Sequence, residues 1–240
     1  MTSAPAFAVS PHLDVRSVQI GEGTALIIDN FLQDPAALKQ VASEAAYEPY
    51  PGMAQGTGYP GVRAWVPADY TSELMAIAEP LLKQNFGVPA DLLPSKSACA
   101  FSLLTVPGEQ LSPLQRIPHF DASAPHFFAV LLYLYDEQHG GTSFHRHRAT
   151  GLQRITPTEV DRYGDIVERE LHLRPPAHRH YGREDWQYEF LGRIPAKFNR
   201  LVAYHGSLLH NAFIEGEHSI DANPATGRLT VNTFIDFSLA

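Results

Sequence analysis

His119 and Asp121 stand two positions apart in "RIPHFDA", just after a Pro-rich loop. On an extended segment residues i and i+2 share a face, so an imidazole nitrogen and a carboxylate oxygen can reach one ion together. Two histidines and one carboxylate on one octahedral face are the donor set of non-haem Fe(II) oxygenases, which leave positions open for co-substrate and O2. The pair therefore asks for a second histidine on a distant strand that returns to the same sheet. His210 meets that need in "FNRLVAYHGSLLHNAF", where an apolar strand, a turn at "HGS" and a second apolar stretch lead to the histidine. After the loop "EGEHSIDANPATG", Arg228 opens the strand "RLTVNTFIDF". Lying beside the His210 strand in a hairpin, its guanidinium would suit a bidentate clamp on a carboxylate.

Each of these residues also has a plainer reading. His-x-Asp arises by chance, His210 could be a hairpin histidine whose ring bonds to backbone, and Arg228 could be a strand-edge arginine paired with Asp221 or Glu217. Two further stretches, "FHRHR" (144–148) and "HRH" (178–180), carry histidines at i and i+2, a zinc-like spacing. A cupin-type site would want a glutamate soon after its His-x-His, and "HRHRATG" supplies none. His145, Arg146, His147 and Arg148 are read instead as flanking the mouth of a barrel, where cations would meet an anionic substrate; solvated edge charges are the plain alternative. Residues 178–180 read as a surface loop. The Tyr/Gly-rich stretch 47–66, with Tyr50, Tyr59, Arg63 and Trp65, is either a lid over substrate or a structural wrap. There is no Gly-x-Ser-x-Gly elbow and no Gly-rich phosphate loop.

The elements that must position these residues begin with two short strands, "VRSVQI" and "TALIIDNFL", around the turn "GEG". Asp34 is an N-cap with Pro35 at the first helical position, and Leu38, Val41, Ala42 and Ala45 give that helix an apolar stripe. A second helix, "TSELMAIAEPLLKQNFG", is expected to kink near Pro80 and to stop at Gly87. From residue 97 onward, segments such as "SACAFSLLTV", "APHFFAVLLYLY" and "GTSFHR" read as strands. An insertion at about 149–197 interrupts them. It holds a helix that starts at a capping box of Thr156, Pro157 and Glu159, then a shorter helical piece, "REDWQYEFLGRI". Helices followed by antiparallel-looking strands imply an α+β, mainly β fold, a double-sheet jelly roll with N-terminal helices packed on one sheet.

With 240 residues and 44% hydrophobic content, one domain over 12–240 is the default, behind a mobile N-terminus at 1–11. The net charge of −8 argues against a nucleic-acid-binding surface. Cys99 is the only cysteine, so neither an intrachain disulfide nor a thiolate zinc cluster can form. The start does not read as a signal peptide, and the longest apolar run, "FFAVLLYLY", is too short to cross a bilayer. A cytoplasmic protein with a small-molecule or peptide substrate is the expectation; the oligomeric state is unreadable.

Taken together, "IPHFDA", "LLYLYDEQHGGTSF", "NRLVAYHGSLLHNAF" and "GRLTVNTF" resemble the double-stranded β-helix of the Fe(II)/2-oxoglutarate-dependent dioxygenases, closest to prolyl-hydroxylase-like members and a bacterial branch of them. The likeness runs from about residue 97 to 240, with "ALIIDNFLQDPAAL" resembling the usual N-terminal strand and helix. It implies a hydroxylase in which His119, Asp121 and His210 hold Fe(II) and act in catalysis. Arg228 would bind the distal carboxylate of 2-oxoglutarate, with Tyr133 a second candidate for a hydrogen bond to that co-substrate. The gap between His210 and Arg228 is longer than usual in that family, and the loop 215–227 would absorb it. Two rival readings are a non-catalytic metal- or ligand-binding β-helix module and a cupin-like metalloenzyme that takes no keto acid.

Overall fold

A computed structural model describes residues 7–214, 216 and 219–239. Eight strands, numbered in chain order, make one antiparallel sheet: β1 (Asp14–Ile20), β2 (Gly23–Asp29), β9 (Arg200–His205), β6 (Phe127–Tyr133), β11 (Leu229–Ser238), β5 (Leu93–Leu104), β4 (Gly61–Trp65) and β3 (Glu48–Pro49). A smaller sheet runs β10 (His210–Phe213), β7 (Gly141–His147), β8 (Tyr188–Pro195). The two are separate ladders and do not close into a barrel. With three α-helices among these strands, the class is α+β, mainly β.

β6 shows how the layers stack. Phe128, Val130 and Leu132 are buried with Leu38 of α1 (Pro35–Glu44) and with Tyr70 and Leu74 of α2 (Ala68–Phe86). The alternate residues, Ala129, Leu131 and Tyr133, pack with Phe144 and Ile194 of the smaller sheet. Side chains alternate along a strand, so one covered by helices on one face and a second sheet on the other must be apolar throughout. That is why "FFAVLLYLY" has no polar phase. Each fully buried aliphatic or aromatic side chain contributes about 1.5–3 kcal/mol. A third cluster fastens Tyr163 and Val167 of α3 (Val160–Leu173) to Ile155, Tyr188 and Leu209.

The caps follow the local chemistry. Asp34 accepts a hydrogen bond from the Ala37 amide with Pro35 in the first turn, and Gly87 ends α2 in the left-handed conformation. Pro80 lies inside an unbroken α2. Thr156 and Glu159 do bond to each other, but as a turn that precedes α3 rather than as its first turn.

Two expectations need correction. "REDWQYEFLGRI" is not helical: its second half is β8, paired with β7 through a bulge at Phe144/His145. A free edge on β7 outweighed the local helical spacing. The stretch 47–66 is not wholly a loop either, because β4 pairs with β5 and extends the large sheet. Of the N-terminal 1–11, residues 1–6 lie outside the described residues; Phe7 is buried against Tyr70 and Val9 bridges Leu32. No helix among the described residues is long and apolar enough to cross a membrane.

Candidate metal centre

The segment carrying His119 and Asp121 has no regular strand of its own, yet backbone bonds fix it. The His119 amide donates to the His210 carbonyl at 2.9 Å and the His210 amide donates back at 2.8 Å. Two residues on, the Asp121 amide donates to the Gly206 carbonyl at 2.7 Å. This short ladder aligns the His-x-Asp segment against the turn before β10, at the edge of the smaller sheet. Gly206 permits the approach: a Cβ there would press on the Phe127 ring and close on the Asp121 Cβ.

His119, Asp121 and His210 each offer one ligand atom, all within 4.8 Å of one another. The histidine rings are 4.4 Å apart between centroids. Asp121 Oδ1 is 3.8 Å from His119 Nε2, and Oδ2 is 3.5 Å from His210 Nε2. His210 Nδ1 donates to the Leu208 carbonyl at 2.8 Å, leaving the Nε2 lone pair directed at the cluster. So the plainer reading of His210, a ring bonded to backbone, is true of one nitrogen and is what presents the other.

The electrostatics suit a cation. Burial pushes His210 down to about 4; His119, its side chain 52% exposed, is lowered by desolvation and by the neighbouring His210 imidazole. Burial raises Asp121 to about 6 against the pull of His119. At neutral pH two uncharged imidazoles face one ionised carboxylate, the protonation state that metal ligands require. Buried Asp121 Oδ2 makes no hydrogen bond, so it carries an uncompensated desolvation cost. The residues present fit a divalent metal with nitrogen and oxygen donors.

The three residues line a cavity of 1080 Å³ together with Arg228. Arg228 does not reach it by the expected hairpin. β11 pairs with β5 and β6 in the large sheet, while β10 belongs to the smaller one, so the arginine and His210 come from different sheets. The Arg228 side chain is buried; one Nη donates to the Gly141 carbonyl at 2.8 Å and the other to the Tyr59 hydroxyl at 3.4 Å. Its Nε has no hydrogen-bond partner, the guanidinium lies 5.3 Å over the Tyr135 ring, and among the described residues no carboxylate pairs with it. Asp221 bonds instead to Thr226 and the Asn223 amide, and Glu217 lies outside the described residues. A guanidinium buried without a counter-ion is costly unless an anionic ligand supplies one.

Tyr133 is not in the cavity wall. Its hydroxyl bonds at 2.6 Å to Thr142, which is. The basic segment 144–148 does not form a mouth either. His145 bonds to Ser143 and His147 to Glu170, while Arg146 meets Glu189 and Arg148 meets Glu184. None of the four lines the cavity, and each side chain has a bond or ion pair to a neighbour, with His145 Nδ1 left buried and unpaired. His180 departs from a plain surface loop: it lines the cavity, with Nε2 bonded to the Val106 carbonyl.

Several wall residues escaped the sequence reading. Thr230, Asn232 and Phe234 follow Arg228 at every second position, and all line the cavity. That period-two signal was present in "RLTVNTF". Tyr204 had no such signal, because it sits in a run apolar on both faces, whereas Tyr50 and Tyr59, read as part of a lid or a wrap, do line the cavity.

Among solved structures, the chain is similar to AviO1 from Streptomyces viridochromogenes Tue57, at 13% identity over 88% of this chain and 89% of that one, with a TM-score of 0.41. It is similar to EvdMO1 at 14% identity and a TM-score of 0.41, over 96% of this chain but only 56% of that one. A third is an N-substituted L-amino acid dioxygenase from Burkholderia ambifaria AMMD, at 10% identity over 94% of each chain, with a TM-score of 0.36. No curated protein matches the chain. At the level of sequence families, residues 10–235 match DUF6445, a family of unknown function, and the chain belongs to that family.

Proposed function

We propose that this protein is an Fe(II)- and 2-oxoglutarate-dependent oxygenase, a hydroxylase built on a jelly-roll frame whose two facing sheets are the large and small ladders described above. One observation carries the reading: a two-histidine, one-carboxylate ligand set and a buried guanidinium without a counter-ion open into the same cavity.

His119, Asp121 and His210 would hold the metal, with the Leu208 carbonyl fixing the His210 ring. When bound, iron and the keto acid supply the oxidising chemistry, with succinate and CO2 as co-products. Arg228 would bind the far carboxylate of the keto acid, held in place by Gly141 and Tyr59. Tyr133 acts through Thr142 rather than on the co-substrate. The buried walls from both sheets exclude water and position the target bond of the substrate.

The test is succinate formation by the purified chain with Fe(II), 2-oxoglutarate and O2. Arg228→Ala should weaken 2-oxoglutarate by about 1.5–3 kcal/mol, the worth of a hydrogen bond to a charged group, and leave metal affinity intact. Metal binding without succinate formation would favour a binding module. Turnover indifferent to 2-oxoglutarate would favour the cupin-like reading.

A further inference from the structure

The cavity is larger than a metal ion and a small keto diacid need, and an apolar band runs through its otherwise mixed wall. Val160, Tyr163, Gly164, Val167 and Leu171 of α3 all line it, at the spacing of a single helix face. Leu114, Ile117 and Phe120 line the cavity as well. The Phe120 ring meets Tyr163 edge-on at 6.1 Å, and Phe120 lies between His119 and Asp121 in the chain. The apolar wall therefore starts one residue from the metal donors.

Gly164 is the odd member of that face. It lies inside α3, where glycine costs about 1 kcal/mol relative to alanine. Its backbone does not ask for glycine, since it is not among the residues with positive φ. Packing does not ask for it either, since an added Cβ would meet nothing within 4 Å. Gly164 is exposed and lines the cavity, so a large side chain there would project into that open space.

We propose that the α3 face centred on Gly164 is the substrate-side wall, and that the substrate is a small molecule whose bulky apolar body lies across it. The cations of 144–148 are paired elsewhere, and the polar residues that α3 brings to the cavity, Glu168 and His172, stand exposed beside this apolar band. The inference rests on the oxygenase reading only in calling the occupant a substrate.

Calorimetric titration of the full chain, loaded with Mn(II) and 2-oxoglutarate, with 4-alkylphenols of increasing chain length tests it. Affinity should rise about fourfold per methylene until the space is filled. Gly164→Trp should weaken the longest phenol at least about tenfold, the worth of two methylenes, with Mn(II) and 2-oxoglutarate affinities unchanged. Gly164→Ala should bind the series like the parent and melt higher. Affinity independent of chain length, or a Trp variant that binds the longest phenol as the parent does, would overturn the proposal. Gly164→Leu repeats the comparison if the Trp variant does not fold. Failure of 2-oxoglutarate to bind the parent would sink the oxygenase reading instead, and the phenol series would still decide the wall.

Discussion

His210 shows at the scale of one residue how a side chain serves structure and chemistry together. Nδ1 is spent on the Leu208 carbonyl, and that bond fixes which nitrogen carries the lone pair and where it points. Asp121 is its opposite, since Oδ2 is buried with nothing to bond to. Asp121→Asn keeps the shape and removes the charge. We expect the fold to survive and Mn(II) affinity to fall by more than about 100-fold, beyond what loss of an outer-shell partner costs. Electron paramagnetic resonance of free against bound Mn(II) reads this directly. An Asn variant that held Mn(II) like the parent would remove Asp121 from the ligand set.

Among elements, the join between β2 and β9 is sensitive to acid. Asp29 receives Arg200 Nε at 2.6 Å and an Nη at 2.9 Å, with Arg16 at 3.1 Å and Lys197 at 3.6 Å. The Arg200 hydrogen bonds, working against burial, hold the Asp29 carboxyl down to about 2. A carboxyl whose pKa is lower folded than unfolded stabilises the fold above the unfolded value and loses that contribution as pH falls through the folded one. The contribution is thus complete above about pH 4 and gone near pH 2. Arg200→Met should cost about 3–5 kcal/mol at neutral pH, as expected when one partner of a buried pair is deleted. It should also flatten the fall in denaturant midpoint between pH 4 and 2. A midpoint that still fell as steeply in the variant would assign the acid sensitivity elsewhere.

α3 is held by a different device. His147, fully buried in β7, bonds to Glu170 at 2.8 Å and to Thr150 at 2.9 Å, and Gln187 adds a bond to the same glutamate at 3.1 Å. His147→Leu strands that carboxylate beside apolar neighbours. A loss of about 1–3 kcal/mol is expected, together with faster amide exchange along α3 than along β6, because only the helix depends on this contact.

For the whole molecule, the layers bring together parts that the chain keeps far apart. Helices seal one face of the large sheet, leaving its other face to share the cavity with the smaller sheet and α3. Anything that fills this cavity binds the folded state alone and stabilises it by mass action. Metal with 2-oxoglutarate at about 100 times the dissociation constant should add about 2.7 kcal/mol, raising Tm by roughly 5–10 °C for a chain of this size. In Arg228→Ala the part due to 2-oxoglutarate should fall by half or more while the shift from metal alone persists, which scanning calorimetry resolves.

Local chemistry read from the sequence alone determined a good deal. The caps at Asp34 and Gly87, the doubly buried run of β6 and the side-by-side projection of His119 and Asp121 follow from i+2 and i+3 relations that no distant residue can undo. The three candidate donors, which the fold brings within 4.8 Å of one another, were legible because their donor types are so restrictive. Tertiary structure decided the rest. It alone put Arg228 in the opposite sheet from His210, drew residues 188–195 into a strand because β7 had an edge to fill, and consumed the basic segment 144–148 in ion pairs and buried bonds. The vacancy beside Gly164 is equally a property of the assembled walls, since empty space has no residue of its own to be read.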